Sequence, residues 1–274
     1  GRVTRPGLDQ RGGAAATTRV PRRMIAEAVQ AELHAAGAAG GAEVIISIPG
    51  GAERARRTFN PLLGIEGGLS VLGTSGVVEP MSEQAIVDTI GVELRQAFCA
   101  CPQGRLILTP GNYGADFLAA NGLDALGVPV VRCSNFIGEA LDMAAAEGFS
   151  AVLLVGHIGK LVKLAGGIMN THSRSADCRT ELFCAHAAAA GASTALCRAL
   201  LDAPTTDACI ALLDTAGLRA AVLDSLTSAA QRHLVRRAAG AYRVGVGLFF
   251  HEYGPLGARP AALELIGQWR NDRQ

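Results

Sequence analysis

The residues best suited to chemistry lie in one run, Gly156-His157-Ile158-Gly159-Lys160-Leu161-Val162-Lys163-Leu164-Ala165-Gly166-Gly167-Ile168-Met169-Asn170-Thr171-His172-Ser173-Arg174. The apolar stretch Ala151–Val155 before it reads as a strand, and Gly156-His157-Ile158-Gly159 as a turn into a helix. On that helix Ile158, Leu161, Ala165, Ile168 and His172 share one face by their spacing of three and four, while Lys160, Lys163, Gly167, Asn170 and Arg174 share another. The first face reads as core. The second is basic and begins at a strand end, which suits carboxylates or phosphates. The plain alternative is a solvated basic face, and Gly166-Gly167 is a point at which the helix can break.

Three further loops have polar or glycine-rich chemistry. Gly64-Ile65-Glu66-Gly67-Gly68 and Gly73-Thr74-Ser75-Gly76 flank the apolar run Leu69–Leu72. Glycines there let backbone N–H groups approach a ligand, and Thr74 and Ser75 add hydroxyls. Thr109-Pro110-Gly111-Asn112-Tyr113-Gly114 and Ser134-Asn135-Phe136-Ile137-Gly138 each put small polar residues and an amide at a helix start, where unpaired N–H groups favour an anion. Taken singly, each is equally explained by tight turns and by capping from Asn112, Ser134 or Asn135. Several such loops at successive strand ends argue for a pocket. Known catalytic signatures are missing. No G-x-G-x-x-G opens a helix, which leaves a nicotinamide-dependent oxidoreductase as the weakest reading, and there is no G-x-S-x-G elbow, P-loop lysine or H-E-x-x-H. His186, in step with Leu182 and Ala189, reads as a core histidine.

The elements that must position these loops are legible as short apolar runs closed by Gly or Pro: Val44–Ile48, Leu69–Leu72, Leu106–Thr109, Val130–Cys133, Ala151–Val155 and Tyr242–Phe250. They are nearly continuous rather than alternating, as strands covered on both faces are. Helical patterns lie between them, at Pro21–Leu33, Ser82–Phe98 and Asn135–Glu147, and from residue 156 to about 239 the chain reads as mostly helical. Strand, glycine turn and helix in repetition predict an α/β fold, a mostly parallel, doubly wound, Rossmann-like sheet with flanking helices, whose ligands sit at the carboxyl ends of the strands. Hydrophobic residues make up 49% of the 274 but aromatics only 4%, so the core must be built from small, closely packed side chains.

A net charge of +1 excludes a nucleic-acid binder by bulk charge. The charge is uneven, however. Arg2, Arg5, Arg11, Arg19, Arg22 and Arg23 face Asp9 alone in the first 23 residues, either as a solvated arm or as one that meets an anionic ligand. Seven scattered cysteines without a C-x-x-C pair fit free thiols in the cytoplasm rather than a disulfide framework or a metal site. No apolar run is long enough to span a bilayer and no signal peptide pattern is present. The chain starts at Gly1 without a methionine and inside a motif, and so reads as a fragment or a trimmed product.

Motifs spread along the chain carry a resemblance. Gly1-Arg2-Val3-Thr4-Arg5-Pro6-Gly7-Leu8, Val20-Pro21-Arg22-Arg23-Met24-Ile25, Ser47-Ile48-Pro49-Gly50-Gly51, Thr58-Phe59-Asn60-Pro61, G-G-L-S-V-L-G-T-S-G at 67–76, P-G-N-Y-G at 110–114, S-N-F-I-G at 134–138 and the run 156–174 resemble the cobalt-precorrin-5B C(1)-methyltransferase family. The likeness is dense to about residue 192. It implies methylation of C1 of a cobalt-containing tetrapyrrole, cobalt-precorrin-5B, to cobalt-precorrin-6A with S-adenosyl-L-methionine, in the anaerobic route to cobalamin. It also implies a remnant of an N-terminal α/β domain at 1–45 and a Rossmann-like domain at 46–274. Under this resemblance Gly67, Gly68, Gly73, Thr74, Ser75, Gly76, Gly111, Asn112 and Gly114 are expected to hold the cofactor. Arg22, Arg23, Asn135, Lys160, Lys163, Asn170 and Arg174 are expected to meet the carboxylate-fringed substrate, and His157 or His172 to move a proton or orient a group. No metal site, nucleic acid or membrane is implied, and a homo-oligomer is left open. Two departures stand out: the family's N-terminal segment with its T-T-G-type motif is absent, and residues 9–19 replace its usual Gly-Glu-Pro-rich run. A non-catalytic tetrapyrrole-binding module is the competing reading.

Overall fold

A computed structural model describes residues 1–6, 8, 10–58, 60–61, 63–71, 82–111, 113–250, 254–258 and 260–272. It divides into two compact units, Gly1–Cys99 and Ala100–Gln274. The division differs from the expected boundary at residue 45. The physical reason is that strand β1 (Arg2–Val3) pairs antiparallel with β2 (Ile65–Glu66), so residues on both sides of 45 share one small core of Val3, Ala16, Leu63 and Ile65. Between the two strands run α1 (Arg19–Ala35) and the short α2 (Gly51–Ala55). Helix α3 (Glu83–Ala100) follows, and its Val92 packs on that core.

Two expected strands of this unit differ in the structure. Val44–Ile48 forms no strand: it has no pairing partner among the described residues, and Ile45 is 81% exposed. Among the described residues 69–71 only Val71 is bridged, to Thr17; its N–H donates to Ala16 O at 2.8 Å and its carbonyl accepts from Thr18 N at 3.0 Å, and Leu72 lies outside the described residues.

The second unit carries the sheet: β3 (Arg105–Thr109), β4 (Val130–Arg132), β5 (Ala151–His157), β6 (Arg243–Phe250) and β7 (Gly254–Ala258), in the order β4-β3-β5-β6-β7. The first four are parallel and β7 is antiparallel at one edge. Four of the six apolar runs read from the sequence are the parallel strands. Leu106, Ile107 and Leu108 are fully buried, as are Val152, Leu153 and Leu154, because helices cover both faces. Ile107, Leu153 and Val155 face a cluster with Leu118 of α4 (Tyr113–Ala120) and Leu265 and Trp269 of α11 (Pro260–Asn271). The remaining helices are α5 (Ile137–Glu147), α6 (Ile158–Leu161), α7 (Arg179–Ala189), α8 (Thr194–Leu201), α9 (Thr206–Thr215) and α10 (Arg219–Ala238), the last packed on β6 and α5. Right-handed crossovers explain the layering. The step β3 to β4 runs one way along the sheet, whereas β4 to β5 and β5 to β6 run the other, so α4 lies opposite α5 and α10. This is the doubly wound architecture expected. No helix among the described residues is long and apolar enough to cross a membrane.

Candidate functional site at the strand switch

The order β4-β3-β5-β6 fixes where a ligand has room. Chains leaving β3 and β5 turn in opposite directions, the arrangement that in open parallel sheets places ligands at the carboxyl ends of the strands. The turn after β3 holds Pro110 and Gly111 and leads into α4. Strand β5 ends at His157 and runs directly into α6, which carries Lys160. Two of the loops singled out from the sequence are therefore neighbours across the switch.

Lys160 and Gly111 meet there. Gly111 has φ +92°, a left-handed conformation that side chains rarely take, and a Cβ on it would lie 3.6 Å from Lys160 Nζ. Lys160 is partly buried. Burial is the main cause that pulls its pKa below the ordinary lysine value; Cys133 opposes it, and the charge of Lys163 adds a smaller lowering. Cys133 follows β4 and is fully buried, its N–H donating to Thr109 O at 3.1 Å. Burial pushes its thiol up to about 12, so it stays neutral and gives Lys160 no counter-charge. Among the described residues Lys160 Nζ makes no hydrogen bond or ion pair. Thr109 closes β3, and its Oγ1 is buried without a hydrogen-bond partner, where a Cβ on Gly114 would lie only 1.6 Å away. The sequence reading missed Thr109 and Cys133. Their one signal was position, the last residue of a strand candidate in each case.

The run 156–174 is not one helix. Helix α6 gives way to a 3-10 turn at Val162–Gly166, and Gly167 ends it at φ +77°. The single basic face is thus lost beyond Gly167. Lys163, expected to meet substrate, is a structural residue: it is 2% exposed, and its ammonium donates to Thr171 O at 3.1 Å and Ala176 O at 2.7 Å. Its pKa is lowered by burial, an effect partly offset by Asp177, 3.9 Å away. Asp177 in turn accepts from Arg179 in a two-pronged pair, which holds its carboxyl below the usual range. His157 caps α6: its Nδ1 accepts from Gly159 N at 3.1 Å, and its ring stands edge-on to Phe249, 5.8 Å between centroids. That is a positioning role for the backbone, made through Nδ1.

The remaining candidates of this unit fold onto one another. Thr171 N donates to Asn135 O at 2.9 Å and Thr171 Oγ1 to Asn135 Oδ1 at 3.2 Å, while Gly138 N donates to Met169 O at 3.2 Å. Asn135 thus ties the loop after β4 to residues 169–171, and Ser134 beside it takes the left-handed φ of 52°. Asn170 Oδ1 accepts from His172 N at 3.0 Å, and His172 Nδ1 accepts from Arg174 N at 3.0 Å. His172 and Arg174 are exposed in this turn. Among the described residues of this unit that were expected to meet substrate, Lys160 is the one whose Nζ lies beside Gly111.

In the first unit, Gly67 turns at φ +77° after β2, and Gly68 O accepts from the buried Asn60 Nδ2 at 3.2 Å. Ser70 Oγ donates to Asn60 Oδ1 at 3.0 Å, so Asn60 pins this glycine turn. Arg22 donates to Ala15 O at 3.0 Å, and Arg23 lies 3.7 Å from Glu27, both exposed. Gly73, Thr74, Ser75, Gly76 and Asn112 lie outside the described residues. Among the described residues no three His, Cys, Asp or Glu are grouped to hold a metal ion.

Comparison with known proteins gives a consistent result. Family models described as CbiD and as CbiD, C-terminal domain, match residues 1–80 and 170–260. A cobalt-precorrin-5B C(1)-methyltransferase of Ruminiclostridium cellulolyticum is 45% identical over 252 residues, 91% of this chain and 64% of that protein. One of Moorella thermoacetica is 41% identical over 276 residues, 100% of this chain and 73% of that protein. The chain thus spans about two thirds of the length of these curated relatives. The crystal structure of a cobalamin biosynthesis protein (cbiD) from Archaeoglobus fulgidus is similar with a TM-score of 0.25 and 25% identity, over 64% of this chain and 55% of that chain.

Proposed function

The chain belongs to the CbiD family, and from that premise we propose that it acts as a cobalt-precorrin-5B C(1)-methyltransferase of anaerobic cobalamin biosynthesis. In this reading it uses S-adenosyl-L-methionine, works in the cytoplasm and yields cobalt-precorrin-6A. The relatives bear that activity in their names. The observation in the chain itself that carries the reading is the switch in strand order between β3 and β5, where Gly111 lies beside a partly buried lysine.

S-adenosyl-L-methionine supplies a methyl group made electrophilic by its bond to a sulfonium. Such a displacement asks the protein mainly to hold donor and acceptor carbon in line and to keep water out. The turn Gly111 to Gly114 suits the donor, because a side chain at either glycine would fill the space or collide with Thr109. Exposed Arg174 suits the acetate and propionate groups of a tetrapyrrole, and Arg22 and Arg23 of the first unit suit the same class of anion. His157 and His172 each engage Nδ1 with a backbone N–H, of Gly159 and Arg174, so Nε2 is the nitrogen of either ring that suits proton removal, and the imidazole of His172 is the exposed one.

Incubation with cobalt-precorrin-5B and methyl-labelled S-adenosyl-L-methionine tests the reading directly. Label is expected at C1 of the macrocycle. Tetrapyrrole binding without transfer would replace the enzyme by a binding module.

A further inference from the structure

Lys160 is an ammonium with an unmet need. It is half withdrawn from water, its neighbour Cys133 is a neutral thiol, and Lys163 nearby is repulsive. Lys163 has its own partners in Thr171 O and Ala176 O, and Lys160 has no hydrogen bond or ion pair among the described residues. A cation kept in that state favours a bound anion that restores what water no longer provides. The space for one lies beside Gly111, where the backbone carries no side chain and Nζ would be 3.6 Å from a Cβ. Two further features of the same turn point the same way. Helix α4 begins two residues later, and the first-turn N–H groups of an eight-residue helix favour negative charge. Thr109 Oγ1, buried against Gly114 in the first turn of α4, has no hydrogen-bond partner among the described residues.

We propose that Lys160, Gly111 and the first turn of α4 form a subsite for the carboxylate of the donor's amino-acid moiety, rather than for a carboxylate of the tetrapyrrole. The assignment rests on the donor reading above. The geometry favours the donor on two grounds. The backbone beside Nζ at Gly111 carries no side chain, which suits a carboxylate at the end of a flexible amino-acid chain better than one fixed to the rim of a broad macrocycle. A carboxylate there also shields the ammonium from the donor's sulfonium, which would otherwise be repelled by it.

The test compares two ligands that differ in this one part. S-adenosylhomocysteine carries the amino-acid carboxylate, and 5′-methylthioadenosine lacks the amino-acid end altogether. Calorimetry with the 274-residue chain is expected to show that Lys160→Met weakens S-adenosylhomocysteine about tenfold or more, the scale of one charged hydrogen bond. Methylthioadenosine affinity is expected to stay unchanged, which also reports that the variant is folded. Lys160→Arg should keep most of the lost affinity. Equal loss of both ligands, or loss of neither, overturns the subsite while leaving the donor reading intact. A wild-type chain that binds neither ligand overturns the donor reading itself, and the subsite with it.

Discussion

His157 Nδ1 accepts the Gly159 N–H, so in the neutral ring the proton sits on Nε2 and one nitrogen is committed to the start of α6. Loss of such a cap costs about 1 kcal/mol. His157→Ala is therefore expected to lower stability by about that amount in urea unfolding, and His157→Asn, which supplies another acceptor, to recover most of it. Full stability in His157→Ala would remove the capping role. Asp177 makes a pH-dependent prediction of known sign. Arg179 holds its folded-state pKa below the ordinary 3.8, so its contribution is complete above 3.8 and is lost as pH falls through the lower folded value. The wild type should exceed Asp177→Asn in stability at neutral pH, and the gap should close in acid. Because the pair is exposed, added salt should also narrow the gap. Residue type alone did not reveal these roles: a histidine after a strand reads equally as catalyst or cap, and only the Gly159 N–H distinguishes them.

The turn from β3 into α4 is an element whose packing is unusually explicit. A Cβ at Gly114 would lie 1.6 Å from Thr109 Oγ1 and 2.6 Å from its Cβ, so Gly114→Ala must push α4 off the end of β3. The expected cost is about 1–3 kcal/mol, read as a lowered Tm, and Thr109→Ala should partly restore it in the double variant. Additive losses would mean that the two residues are not in contact. The parallel strands β3 to β6 were legible because burial on both faces demands unbroken apolar runs. Val44-Ile45-Ile46-Ser47-Ile48 carries the same signal without becoming a strand, since a run of apolar residues does not specify a partner. The edge strand β7 was missed for the opposite reason. Gly254-Pro255-Leu256-Gly257-Ala258 has no strand pattern, yet an edge has an unpaired side and tolerates a proline. In the site, the glycine turns and Lys160 were legible, whereas Lys163 read as a surface cation because its partners are backbone carbonyls eight and thirteen residues further on.

At the scale of the molecule, the two units have separate cores. Val3, Ala16, Leu63 and Ile65 serve the first, while the sheet with α4 and α11 serves the second. The ion pair Arg105–Asp272 and the Arg243 to Gln268 hydrogen bond tie the start of the second unit and its β6 to its own last helix. Residues 100–274 made alone should therefore fold, with one cooperative unfolding transition followed by circular dichroism. The fragment also contains the whole Lys160 niche, so it should bind S-adenosylhomocysteine with an affinity close to that of the full chain. A folded fragment that no longer binds S-adenosylhomocysteine would move the donor to the glycine run at 67–76. An unfolded fragment would mean that the second core is insufficient by itself, despite a sheet whose strands are paired and covered within residues 100–274.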